Sequence, residues 1–170
     1  RARLPQYDVD SGFLEFSTPI IRERLEALRD RGNKRIIAVP SMLLAAGHVK
    51  NDLPSVINTF AAQNPDLEIT YARDLGLDMR MIRAAGDRVQ EAIDIADAAG
   101  EPVAPENTLL VVVGRGASDP DANSSIAKIC RFLWEGMGFG WAQVAYSGVT
   151  FPLVEPSLEH AAKLGYKRII

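Results

Sequence analysis

Two short runs of uninterrupted apolar residues constrain this chain more than any other feature. Ile36-Ile37-Ala38-Val39 and Leu109-Leu110-Val111-Val112-Val113 are too short to be buried helices, and a turn and then a helical pattern follow each. A continuous apolar run, unlike strict alternation, suits a strand covered on both faces of a parallel sheet. Parallel neighbours need long crossovers, usually helical, and the chain supplies them. Ile20, Ile21, Leu25 and Leu28 recur at helical spacing, as do Val56, Ile57 and Phe60. Residues 78–97, carrying Met81, Ile82, Val89, Ile93 and Ile95, predict one long helix. Residues 121–136 and 156–164 predict two more.

Local signals set the expected boundaries. Residues 7–14 read as a strand with Gly12 as its weak point. Thr18 can cap the first helix with Pro19 in its first position, and Gly32 ends it. Residues 40–51 read as a loop, with Asn51 or Asp52 capping the next helix ahead of Pro54. Further strands are expected at residues 67–72, 141–147 and 167–170. Strands alternating with helices of this length predict an α/β fold.

The linker-like stretch Ala98-Ala99-Gly100-Glu101-Pro102-Val103-Ala104-Pro105-Glu106-Asn107 divides the pattern. The expected organisation is a first lobe at residues 1–98, a linker at 99–107 and a second lobe at 108–170. The lobes look like copies. The stretch from Thr18-Pro19 to Gly32-Asn33-Lys34-Arg35-Ile36-Ile37 parallels that from Glu155-Pro156 to Gly165-Tyr166-Lys167-Arg168-Ile169-Ile170, the second helix being four residues shorter. Two copies of a flavodoxin-like α/β unit are expected to face each other across a cleft, with ligands at the carboxyl ends of the strands. Both ends of the sequence read as cut: Arg1-Ala2-Arg3-Leu4-Pro5 resembles a helix tail running into a strand, and Lys167 to Ile170 stop where a strand begins.

Composition narrows the function. The 170 residues carry 19 Lys and Arg against 22 Asp and Glu, a net charge of −3 that disfavours nucleic acid as a partner. One cysteine, Cys130, excludes a disulfide framework; its place beside Ile126 and Leu133 makes it a core residue. With only two histidines, His48 and His160, a metal site needs carboxylate or water ligands too. No apolar run approaches the roughly 20 residues of a membrane span, and no signal-peptide pattern opens the sequence. A cytoplasmic protein is expected, with no membrane partner.

Three segments carry chemistry. Gly47-His48-Val49-Lys50-Asn51-Asp52-Leu53-Pro54 follows a buried strand, where α/β proteins place their sites. His48 can bind a metal or take a proton near neutral pH, or it can be a plain loop histidine at a helix start. Glu15, in Phe13-Leu14-Glu15-Phe16, ends the preceding strand. Neighbouring strands lie about 5 Å apart, so Glu15 and His48 can reach one metal although 33 positions separate them (48 − 15). A solvated glutamate is the alternative. Gly114-Arg115-Gly116-Ala117-Ser118-Asp119-Pro120 is a strand-to-helix turn whose N–H groups favour anions, with Arg115 as a carboxylate donor, or else an ordinary tight turn. It lacks the P-loop and Gly-x-Gly-x-x-Gly patterns, which argues against nucleotide or flavin. His160 reads as a helix surface residue, and Phe139, Trp141 and Tyr146 as packing for the second sheet.

These segments resemble the class II tetrapyrrole chelatases of the CbiX type. The first matches that family's Gly-His-Val-x-x-Asp-Ile/Leu-Pro motif, Phe13-Leu14-Glu15 its strand-end glutamate, and the Gly114 turn its Gly-His-Gly-Ser-Arg-Asp-Pro turn. The resemblance spans nearly the whole chain, as the middle of a long two-lobed form. It implies a lyase that inserts Fe2+ or Co2+ into sirohydrochlorin, in sirohaem or cobalamin biosynthesis. The metal is then a substrate, no organic cofactor is involved, and an oligomer is possible. It implies His48 and Glu15 as catalytic and metal-binding residues, and Arg115, Gly114, Gly116 and Lys50, with Arg73 as a further candidate, as substrate contacts. Arg115 stands where the family's turn has histidine, and Pro152 is expected where a second glutamate would stand. A non-catalytic tetrapyrrole- or anion-binding module of the same fold is the alternative.

Overall fold

A computed structural model describes residues 3–170. The fold is α/β, with two small parallel sheets flanked by helices. The chain divides into two compact units, one reaching to Asp74 and one spanning Leu75–Ile170.

The first unit contains α1 (Ile21–Asp30), β1 (Arg35–Ala38), a π-helical turn (His48–Asp52) running into α2 (Leu53–Gln63), and β2 (Glu68–Tyr71). β1 and β2 pair in parallel, from Arg35 opposite Glu68 to Ala38 opposite Tyr71. Leu25 of α1 and Phe60 of α2 close with Ile36 and Leu67 into one core cluster. The two-sided burial expected of residues 36–39 is not found here. Ile36 is buried, whereas Ile37 is 67% exposed and Val39 64%. Successive strand side chains point to opposite faces, and both helices contribute to the face that Ile36 occupies.

The strand expected at residues 7–14 reduces to an isolated parallel bridge between Phe13 and Ile20. Residues 8–12 are held by side chains instead. Arg31, just beyond α1, donates to Asp8 at 2.7 Å and Asp10 at 3.0 Å, and Asn33 donates to Asp8 at 2.9 Å. These bonds hold both carboxyls below their usual value; the Arg31 guanidinium is the main cause at Asp8, and the Ser11 N–H at Asp10. Between this segment and β1 lies a groove of about 680 Å³, lined by Gly12, Leu14, Ile37 and Val39 among others. The cap is also displaced. Thr18-Pro19 is a cis peptide, α1 starts two residues later, and Glu23 accepts the Ile20 N–H at 3.2 Å. Leu4 and Tyr7 are joined in a turn by a 3.1 Å backbone bond rather than in a helix; Arg1 and Ala2 of that expectation lie outside the described residues.

The second unit contains α3 (Met79–Ala99), β3 (Thr108–Gly114), α4 (Pro120–Met137), β4 (Trp141–Tyr146), α5 (Val154–Lys163) and β5 (Arg168–Ile169). Its parallel sheet has the order β4-β3-β5. Asp78 caps α3, Asp119 caps α4 with Pro120 following, and left-handed Gly138 ends α4. Helix α3, expected in the first lobe, packs here. Its Ile82 and Ile93 join Leu110, Cys130, Leu133, Phe139 and Ala142 in one buried cluster, and Asp97 near its end pairs with Arg168 of β5. The division therefore falls between Asp74 and Leu75 rather than at residues 99–107. The prolines of that stretch punctuate a helix-to-strand connection, with a 3-10 turn at Pro105–Asn107, inside the second unit. None of the described helices is long and apolar enough to cross a membrane.

The repeat has a different register from the one expected. Pro19 matches Pro152, not Pro156, at a constant offset of 133 (152 − 19). Phe151-Pro152 is the second cis peptide. The Phe13 N–H donates to the Pro19 carbonyl at 2.9 Å, and the Tyr146 N–H to that of Pro152 at 2.8 Å. Phe16 and Val149 are the two non-glycine residues with positive φ among the described ones. α1 and α5 are each 10 residues long, so neither helix is shortened. Pro156 lies in the first turn of α5, where its missing N–H is no loss. The position matching Glu15 is thus Gly148 (15 + 133), not Pro152.

Candidate metal centre

Glu15 lies not at a strand end but in the bend between Phe13 and Ile20. The bend turns at Phe16, whose φ of 59° is costly for a side chain of this size. Val149, its counterpart, adopts 67°. The same left-handed bend thus recurs inside both bridges on unlike sequences, and Glu15 is carried on the first of them.

His48 is not in a loop. It opens the π-helical turn, whose register is closed by a bond from the Leu53 N–H to the His48 carbonyl. The turn is anchored from the sheet, because the Tyr71 hydroxyl at the end of β2 donates to the Val49 carbonyl at 3.0 Å. Burial raises the Tyr71 pKa, so the hydroxyl stays a donor at neutral pH. Asp52, expected to cap α2, is itself helical and makes no cap bond. Its Oδ2 lies 2.6 Å from His48 Nδ1 instead. The i, i+4 spacing stacks the two side chains on one face.

The ring's other nitrogen faces Glu15, with Nε2 to Oε1 at 3.9 Å. Two metal–ligand bonds of about 2.1 Å each sum to more than that separation, so one ion can touch both atoms where they stand. The side chains of His48, Glu15 and Asp52 are about half exposed, which leaves the pair open to an incoming ion. Among the described residues no group of three or more His, Cys, Asp or Glu is placed to hold a metal. The arrangement is a nitrogen–oxygen pair suited to borderline divalent ions. Lys50 is exposed on the same turn, two residues from His48 and so off the face His48 shares with Asp52.

The Gly114 turn is occupied by its own neighbours. The Ala117 N–H donates to Asn123 Oδ1 at 3.1 Å, so one of the donors expected to meet an anion is already engaged, and just beyond the turn the Asp121 N–H of α4 is taken by Asp119 at 2.9 Å. The glycines are needed for packing. A Cβ on Gly114 would lie 3.1 Å from Ile126 and 3.2 Å from Tyr146. One on Gly116, whose φ is +87°, would lie 2.0 Å from the Gly148 carbonyl oxygen. Backbone thus closes on the place that Glu15 marks in the first unit. Arg115 remains exposed, its carbonyl accepting from the Ser147 hydroxyl at 3.3 Å. Arg73 lies just beyond β2 in the first unit. His160, on α5, contacts Gln143 at 3.2 Å. Cys130, Phe139 and Tyr146 are buried in the second unit; Trp141 is 42% exposed and meets Trp134 edge to face.

Segment position points to His48 and Glu15 but not to their partners. Asp52 stands four residues after His48 and pairs with it because the turn is helical, and Tyr71 carries no signal in the sequence.

Comparison with known proteins gives the chain its family. The CbiX family model matches residues 1–92 and 109–170. A sirohydrochlorin cobaltochelatase of Priestia megaterium is 33% identical over 162 residues, covering 95% of this chain and 51% of the relative. A sirohydrochlorin ferrochelatase of the same organism is 29% identical over 158 residues, covering 92% and 56%. The solved structure of SirB from Bacillus subtilis with Fe3+ superposes with a TM-score of 0.76 at 28% identity, over 88% of this chain and 56% of that one. The chain thus spans about half the length of the curated relatives it matches. With the family model covering most of its length, the chain belongs to the CbiX family.

Proposed function

We propose that this chain is part of a cytoplasmic metal chelatase that inserts Fe2+ or Co2+ into sirohydrochlorin. The observation that carries the reading is the His48–Glu15 pair, 3.9 Å apart and open to solvent. Relatives named as sirohydrochlorin cobalto- and ferrochelatases support the substrate, and a relative solved with Fe3+ supports the metal.

Insertion exchanges two pyrrole protons for one divalent ion. The site must therefore take up protons and release a metal. His48 Nε2 and a Glu15 oxygen each offer a lone pair to the metal and, once the metal has left for the ring, each can accept one of the two pyrrole protons. Two protein donors hold a first-row ion loosely, which suits a metal that must leave for the macrocycle. Arg115 and Lys50 are assigned to the substrate's carboxylates; the Arg115 fork fits a carboxylate in two-point contact. Gly114 and Gly116 hold the turn that displays Arg115.

The test is anaerobic incubation of sirohydrochlorin with Co2+ and the purified protein, followed by absorbance. The expected outcome is a time-dependent shift to the metallated spectrum. In His48→Ala the rate should fall by about 10²–10⁴, the range for loss of a positioned acid–base group, with the melting temperature unchanged. An immediate, saturable change with no slow phase would assign a non-catalytic binding module instead.

A further inference from the structure

We infer that Asp52 is a positioning residue: it fixes His48 as the Nδ1–H tautomer, so that the ring presents an unprotonated Nε2 to Glu15. The inference rests on the metal-insertion reading for its purpose, but its structural claim stands apart from that reading.

Asp52 Oδ2 lies 2.6 Å from His48 Nδ1, the short distance of a charge-assisted bond. A carboxylate only accepts, so the proton of a neutral ring must be on Nδ1, and the lone pair is left on Nε2. That nitrogen is the one 3.9 Å from Glu15 Oε1. Without an acceptor at Nδ1, the ring can carry its proton on Nε2, where it blocks both metal binding and proton uptake. A partner on the far nitrogen of a metal-binding histidine orients the ring and raises its basicity, and losing such partners commonly costs ten- to a hundredfold in metal affinity or activity.

The backbone supports this assignment. At a helix start Asp usually caps, but Asp52 is helical with φ −70° and ψ −48° and makes no cap bond. Removal of its carboxylate should leave the helix intact, because alanine is the better helix former. The π-helical register supplies the rest: Asp52 is one turn from His48, and Tyr71 holds the turn to β2 through the Val49 carbonyl.

The test uses 15N-labelled protein without metal or macrocycle, at about pH 8.5, where an ordinary imidazole is neutral. Wild type should show His48 Nδ1 protonated and Nε2 bare. Asp52→Ala should shift the ring toward Nε2–H without lowering the melting temperature. Asp52→Asn keeps an acceptor oxygen and should retain much of the wild-type tautomer. In insertion assays Asp52→Ala should lose about ten- to a hundredfold in kcat, with KM for sirohydrochlorin unchanged, and Asp52→Asn should recover part of it. An unchanged tautomer in Asp52→Ala would overturn the inference whether or not the protein is a chelatase. A shifted tautomer with undiminished insertion would overturn the positioning role alone. No insertion by wild type, with the tautomer shift as expected, would count against the chelatase reading and leave the hydrogen-bond assignment standing.

Discussion

At the scale of single residues, what a side chain would meet matters more than its type. Gly32 and Gly116 are both left-handed, with φ of +89° and +87°. A Cβ on Gly32 meets nothing within 4 Å, whereas one on Gly116 meets the Gly148 carbonyl oxygen at 2.0 Å. Gly32→Ala should therefore cost only the left-handed backbone penalty, about 1–2 kcal/mol. Gly116→Ala adds a backbone collision that no side-chain rotation relieves, and should cost at least about 3 kcal/mol or leave the second unit unfolded. Urea unfolding of the two variants measures the difference; equal losses would show that the Gly116–Gly148 approach is not a tight contact.

At the scale of elements, the segment before α1 shows ion pairs doing the work expected of a strand ladder. Asp8 and Asp10 are held below their usual carboxyl value, the Arg31 guanidinium leading at Asp8 and the Ser11 N–H at Asp10. A lowered folded pKa contributes stability that is fully present above the unfolded value of about 4 and is lost as pH falls through the folded value. Arg31→Gln should therefore be less stable than wild type at neutral pH, and the gap should close as pH falls below about 4. Urea midpoints of the two proteins across that range check it, and a gap that persists at low pH would mean that Arg31 acts through packing. β3 offers the contrast within the same fold. It is paired on both sides, by β4 and β5, and Leu109 and Leu110 are buried. In the first unit, the segment matching β4 (residues 8–13) and the strand matching β5 (β1) flank the groove instead, and that groove stands where the second unit seats β3.

At the scale of the whole molecule, the duplication is asymmetric in chemistry. Both units keep the cis-proline, the left-handed residue and the ten-residue helix. Only the first carries a carboxylate in the bend; Gly148 replaces it in the second, with Gly116 closed against it. One metal site per chain is expected. Titration with Co2+, followed by its visible absorption, should show one ion bound per wild-type chain, none in His48→Ala and one in Arg115→Ala. Two ions per chain would mean that the second unit binds metal through groups other than those matching Glu15.

Much of this protein was decided locally and is legible in residue order. The apolar run at residues 109–113 reads as a strand, and it became the central one, although only Leu109 and Leu110 are buried and Val113 is 52% exposed. The amphipathic spacing of Ile82 and Ile93 made a helix, and Gly138 could end one. The Gly-His-Val-Lys-Asn-Asp-Leu-Pro segment and Glu15 mark a candidate site, because few residue types bind metals or move protons, and the fold brings His48 and Glu15 to 3.9 Å. Residue order did not decide where α3 would pack: an apolar stripe states that it needs a partner, not which one, and α4 and β3 supplied it. Nor did it decide the repeat register, since Pro19, Pro152 and Pro156 are alike as letters and only the cis peptides and their bridges tell them apart. It did not decide the task of Asp52 either. An aspartate ahead of Leu-Pro is a cap by local rules, and it becomes the partner of His48 because His48–Asp52 is a π-helical turn, which Tyr71 of β2 anchors through the Val49 carbonyl. Periodicity and residue chemistry act within a few neighbours along the chain, whereas pairing, register and hydrogen-bond partners depend on which distant surfaces the fold brings together.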